Sequence, residues 1–152
     1  MRGAPFFEPM PVAVPPAPDR SEPRRKYEKS ALSEEVETAV LQRLNRLLAD
    51  EKPYLSSDLS LPRLAARLDT SPHHLSQLLN DRLDRSFFDL MADYRVREAR
   101  QLLVDPAMAH LKIDEIAERV GYNSTSAFHT AFKRLTGQTP AQYRQKTASR
   151  SA

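Results

Sequence analysis

Between Leu61 and Arg144 the chain uses one pattern twice: a short amphipathic segment, a tight turn, and a second apolar-faced segment opening on serine. The first copy, from Leu61 to Leu79, reads LPRLAARLDTSPHHLSQLL; the second, from Ile113 to Phe132, reads IDEIAERVGYNSTSAFHTAF. Leu61, Leu64, Ala65, Arg67 and Leu68 fall in register with Ile113, Ile116, Ala117, Arg119 and Val120. Leu75, Leu78 and Leu79 fall in register with Phe128, Ala131 and Phe132 once one residue is allowed into the second turn. Apolar residues at helical spacing on both sides of a tight turn specify a helix-turn-helix. Two of them in one chain imply a DNA reader with two reading heads.

The predicted fold class is all-α: two helix-turn-helix subdomains joined by a long linker helix. Only three glycines occur among 152 residues, and β-branched residues are sparse. Residues 1–29 hold seven of the twelve prolines and a run of mixed charge, so they are expected to be an extended leader outside the core. The leader resembles a seam to a further domain. Residues 30–145 are expected to form the double motif, and 146–152 a flexible tail. Ser33 is expected to cap a first helix whose apolar face is Val36, Val40, Leu44, Leu47 and Leu48, covering the first motif.

Ser60 and Ser71 are placed to cap the two helices of the first motif, with Pro62 and Pro72 in their first turns. Asp69 occupies the turn position that Gly121 holds in the second copy. That position calls for left-handed backbone, which glycine adopts freely and aspartate tolerates. A helix from about Ser86 to Val104 buries Phe87, Leu90, Met91, Tyr94, Ala99, Leu102 and Leu103, and leaves Arg95, Arg97 and Arg100 on its polar side. Asp105 and Pro106 stop it. Asn123 or Ser124 caps the second recognition helix, Gly137 ends it, and a last short helix starts at Thr139 and Pro140.

A recognition helix presents short polar side chains near its N-terminus to base edges, while its other face is anchored on the preceding helix. His73, Ser76 and Gln77 are the base-reading residues expected in the first head. Thr125, Ser126, His129 and Thr130 are those expected in the second. Glutamine reads adenine, imidazole donates to guanine, and threonine methyls meet the thymine methyl. Neither arginine nor lysine stands at a reading position, so shape and backbone contacts carry much of the expected recognition. Ser71 and Ser124 at helix N-termini, with Arg82, Lys133 and Arg134, are the expected phosphate contacts.

The net charge of +3, from 23 basic and 20 acidic residues, says little by itself. Its distribution says more: Lys133, Arg134, Arg144, Lys146 and Arg150 follow Gly121 with no acidic residue among them. The chain has no cysteine and no long apolar run, so no disulfide, thiolate metal site or membrane span is expected. Its start lacks the apolar core of a signal peptide, and a cytoplasmic location is expected. No enzyme is expected, since no carboxylate or nucleophile is arranged with the four histidines. His73 and His74 point about 100° apart on a helix, which argues against a shared metal. No cofactor is expected. The rival reading is a helical protein-interaction module without DNA binding.

The chain resembles the DNA-binding domain of the AraC/XylS family of bacterial transcription regulators over roughly residues 50–145. The resemblance is carried by IAERVGYNSTSAFHTAFKRLTGQTPAQYR, residues 116–144, and by YRVREARQLL, residues 94–103. Gly121, Tyr122, Ser124, Ser126, Phe128, Phe132, Lys133, Thr136, Gly137, Pro140, Tyr143 and Arg144 fit the family pattern. Held about one helical turn apart, the two heads are expected to reach successive major grooves of one duplex. The resemblance implies about seven helices in two subdomains and regulation of transcription initiation by direct binding to promoter DNA. It places His73, Ser76, Gln77, Thr125, Ser126, His129 and Thr130 at base-contact positions. It implies double-stranded DNA and RNA polymerase as partners, and a sensor or dimerisation domain outside this chain. The segment NDRLDRSFFDL after the first recognition helix resembles the branch whose sensor part is often membrane-embedded; this segment itself is expected to touch no membrane. Asp69 and Ala127 depart from the pattern, at a turn glycine and an aromatic respectively.

Overall fold

The computed structural model describes residues 22–151, with side chains for 33–148. Among these residues the chain is all-α, with seven α-helices. They are α1 Glu22–Asp50, α2 Leu61–Arg67, α3 Pro72–Leu78, α4 Phe87–Val104, α5 Ile113–Arg119, α6 Thr125–Thr136 and α7 Pro140–Ser151. Two 3-10 turns, Pro53–Leu55 and Pro106–Met108, and a π-turn, Leu79–Leu83, complete the order. The expected pairs α2–α3 and α5–α6 are present, with α4 between them.

Chain packing divides within α1, between Gln42 and Arg43. The first unit contributes the described helix from Glu22 to Gln42. The helix begins well before Ser33, so Ser33 lies inside it and caps nothing. Residues 22–29, expected to be extended, are helical as well. Pro23 sits at the second position of this helix, where the missing N–H would have no intrahelical partner. Val36, expected on the apolar face, is 57% exposed. Most of the proline-rich leader lies outside the described residues.

The second unit runs from Arg43 onward. Leu44 and Leu48 of α1 are buried there, and the Arg43 guanidinium donates to the Leu68 carbonyl at the end of α2 over 2.6 Å. Arg67 pairs with Glu51. The last turns of α1 thus hold the end of α2, as expected of a helix covering the first motif. Leu64, Ala65, Leu68, Leu75, Leu78 and Leu79 are buried, with Phe87, Leu90 and Met91 from the start of α4. The second motif closes over a core of its own: Ala92, Val96, Ala99 and Leu103 of α4 with Leu111, Ile116, Ala117, Val120, Phe128, Ala131 and Phe132. One linker helix therefore belongs to both motifs, its first turn to one and the remainder to the other. At 18 residues it is about 27 Å long.

Two expected side-chain roles change. Arg95 is half-buried and donates to backbone carbonyls of the first 3-10 turn region instead of lying in solvent. Arg144, counted with the basic C-terminal surface, donates to the Leu111 carbonyl over 2.6 Å and the Met108 carbonyl over 3.4 Å. It fastens α7 beneath the second motif. The helix α7 also runs through Ser151, so the expected short helix is long and takes in residues 146–151. The reciprocal bonds between Thr139 and Gln142 start it: each side-chain oxygen accepts from the other's backbone N–H.

Candidate nucleic-acid interface

The helices α3 and α6, expected to be the recognition helices, start the same way. The Ser71 hydroxyl oxygen accepts from His74 N–H over 3.1 Å, and the Ser124 hydroxyl oxygen accepts from Ala127 N–H over 3.1 Å. Of the two candidate caps for α6, Ser124 is the one used. Each serine has extended backbone, satisfies one of the unpaired amides of the first turn, and retains its own proton to donate. Both residues are exposed.

The turns that set the entry angles are equivalent. Asp69 has φ +58 and Gly121 φ +100, both left-handed as the alignment requires. Thr70 N–H donates to the Ala65 carbonyl and Tyr122 N–H to the Ala117 carbonyl, so each preceding helix ends in the same closing bond. Beyond the turn, Leu75 and Leu78 anchor α3, while Phe128, Ala131 and Phe132 anchor α6. Phe128 meets Phe132 edge to face at 5.7 Å, and Phe132 meets Tyr143 at 5.5 Å.

The opposite faces carry the expected reading residues. On α3, His73 and Gln77 are exposed and Ser76 is half-exposed; on α6, Ser126, His129 and Thr130 are exposed and Thr125 is half-exposed. None of the seven is buried. The Thr130 hydroxyl donates to the Ser126 carbonyl over 3.0 Å, so its proton is engaged within the helix. The His129 ring lies edge-on to Phe128 at 6.3 Å.

The basic residues differ in their surroundings. Lys133 and Arg134 are exposed in the last turns of α6. Arg134 borders a hollow that also contains Asp84, Asp89 and Asp93, so its field on a phosphate is weakened there. Arg82 is exposed in the π-turn after α3. Arg85, which follows the π-turn, pairs with Asp93. The π-turn was not legible in advance. It ends at Asp84 with φ +54, and Arg85 N–H returns to the Leu79 carbonyl. Among the described residues no cluster of three or more histidine, cysteine or acidic side chains is arranged to hold a metal ion. No helix there is long and apolar enough to cross a membrane.

A family profile described as "Helix-turn-helix domain" matches residues 64–146. The HTH-type transcriptional regulator GlxA of Rhizobium meliloti (strain 1021) is 33% identical over 143 residues, covering 91% of this chain and 39% of that protein. The HTH-type transcriptional regulator GadX of Escherichia coli (strain K12) is 30% identical over 96 residues, covering 63% of this chain and 34% of that protein. The chain thus spans well under half the length of these relatives. The C-terminal domain of AraT, a response regulator from Geobacillus stearothermophilus, superposes with a TM-score of 0.62 at 37% identity, covering 70% of this chain and 84% of that one.

Proposed function

The chain belongs to the helix-turn-helix domain family, and from that premise we propose that it binds double-stranded DNA through α3 and α6 and so regulates transcription initiation. The observation that carries this reading is the repeated geometry: two serine-capped helices, each anchored by apolar residues behind and polar in front. An isolated solvated helix needs no such duplication, down to the left-handed turn residue.

Within that reading, His73, Ser76 and Gln77 contact bases in one major-groove segment, and Thr125, Ser126, His129 and Thr130 in the next. Ser71, Ser124, Arg82, Lys133 and Arg134 contact phosphates. The subgroup we assign is AraC/XylS, on the strength of residues 116–144 and the linker helix. The same reading makes the domain the output end of a transcription regulator in the cytoplasm, with RNA polymerase and a sensor or dimerisation domain as protein partners. It acts by binding, with no chemistry of its own and no cofactor.

Footprinting on duplexes selected by the protein from a random-sequence pool tests the proposal. Two protected major-groove segments about one turn apart are expected, with affinity falling steeply as salt rises. Failure to shift any of a broad set of duplexes at low salt would replace it with the protein-interaction reading.

A further inference from the structure

One side chain of α4 touches both motifs. Arg95 Nε donates to the Tyr54 carbonyl over 2.6 Å and its Nη2 to the Ser56 carbonyl over 3.1 Å. These carbonyls belong to the turn that leads the chain into α2. The Arg95 guanidinium carbon also lies 5.4 Å from the centre of the Tyr122 ring, in the turn between α5 and α6. The contact around it is close. A Cβ placed on Gly121 would lie 2.3 Å from the Tyr54 carbonyl oxygen and 2.8 Å from Arg95 Nε. The turn of the second motif therefore rests on the entry turn of the first, with the guanidinium between them.

Two further contacts fasten that entry turn to the same helix. Lys52 Nζ meets Glu98 at 2.8 Å, and the Tyr54 and Tyr94 rings are 5.1 Å apart. The apolar core adds to this through Leu55 of that turn, which packs against the second motif's core, but such packing does not set an angle. The inward residues of α4 from Ala92 onward belong to the second motif's core, and hydrophobic contact is not directional. A guanidinium is different: its planar fork holds two carbonyls at fixed angles while its face lies on an aromatic ring.

We propose that Arg95 is a positioning residue that fixes the angle between the two motifs, and so the spacing at which both recognition helices engage one duplex. The mechanical half of this inference stands on the contacts above; its consequence for DNA rests on the function proposed in the preceding section. Rigid coupling makes the second contact intramolecular, but only for duplexes whose two half-sites match the fixed geometry. A loosened joint gives up affinity for the matched spacing and gains tolerance of others.

The chain has no cysteine, so Ala66→Cys in α2 and Gln145→Cys in α7 place one spin label on each motif, both at exposed positions away from the reading residues. Pulsed dipolar spectroscopy on the parent should give one narrow distance distribution. Arg95→Gln should widen it about twofold or more, and Arg95→Lys, which keeps the charge but loses the fork, should widen it less. On duplexes selected by the parent, Arg95→Lys should lose about tenfold in affinity for the two-half-site duplex and little for a single half-site. It should also bind duplexes with one or two inserted base pairs better relative to the matched one. Unchanged distance distributions in both variants would overturn the proposal. An equal loss on single and double half-sites would overturn it too. If the parent binds no duplex, the DNA reading fails by itself, and the label distances alone decide the role of Arg95.

Discussion

Gly121 and Asp69 hold equivalent turns but differ in what surrounds them, and the difference predicts opposite substitutions. At Gly121 a side chain meets both a backbone strain, at φ +100, and a backbone oxygen at 2.3 Å that cannot move aside cheaply. Gly121→Ala should cost about 3 kcal/mol, read as a shift in the urea midpoint at unchanged slope. Gly137 provides the control. Its φ is +80, yet nothing lies within 4 Å of the added Cβ. Gly137→Ala should therefore cost only the left-handed penalty of about 1 kcal/mol. Asp69 already bears that penalty at φ +58, so Asp69→Gly should fall within about 1 kcal/mol of the parent and on the stabilising side. Equal costs at Gly121 and Gly137 would mean that the contact with Tyr54 contributes nothing. The shared left-handed position was legible from the register of the two copies. The crowding was not, because its source lies far away in sequence, at Tyr54 and Arg95.

On the proposed DNA reading, helix caps and faces decide recognition at the next scale. Gln77 and His129 project from different helices, so Gln77→Ala and His129→Ala should each relax selectivity at a different protected segment, by about 1–3 kcal/mol for the contacted base pair. Selection profiles identical to the parent's in both variants would remove these residues from the reading set. Arg134→Ala should act differently, weakening all sequences alike and lowering the salt slope by about one. Elements with strong local signals were readable beforehand: α2, α3, α5 and α6 each combine a serine cap or acidic first turn with an apolar face. The start of α1 was not. Ser33 and the glutamates after it imitate a helix start, but the helix had already begun at Glu22. The π-turn at Leu79–Leu83 was equally hidden, since one extra residue per turn leaves no mark on a pattern of five residues. Arg95 and Arg144 read as surface charge because their acceptors are carbonyls, which exist at every position and give no sequence signal.

In the molecule as a whole, three titratable groups at the joint between the motifs, Lys52, Tyr54 and Tyr122, shift in the same direction. The hydrogen bond from Lys52 to Glu98, then the Glu98 charge, raises the lysine above its ordinary value. Burial raises the Tyr54 and Tyr122 phenols above theirs, with Arg95 opposing at Tyr122. All three hold their protons more tightly in the folded chain than in the unfolded one. Their contribution is therefore complete below about pH 10, where the unfolded chain still keeps these protons. It declines as pH rises toward the folded values, because the unfolded state releases protons first. Burial lowers Arg95 from its ordinary value, so this residue acts in the reverse sense. The urea midpoint should thus be level up to about pH 9.5 and fall from about pH 10 upward. Tyr122→Phe separates the contributions. Its hydroxyl is buried with no hydrogen-bond partner among the described residues, so removing it should leave neutral-pH stability unchanged or raise it by about 1 kcal/mol. The same substitution should make the alkaline decline shallower, since one of the three groups no longer titrates. A decline of undiminished steepness in Tyr122→Phe would place the alkaline weakness elsewhere. A decline that also widens the label distances between the motifs would place it at the joint, where a neutral phenol, a lysine–glutamate pair and a guanidinium fork hold two helix-turn-helix motifs on one helix.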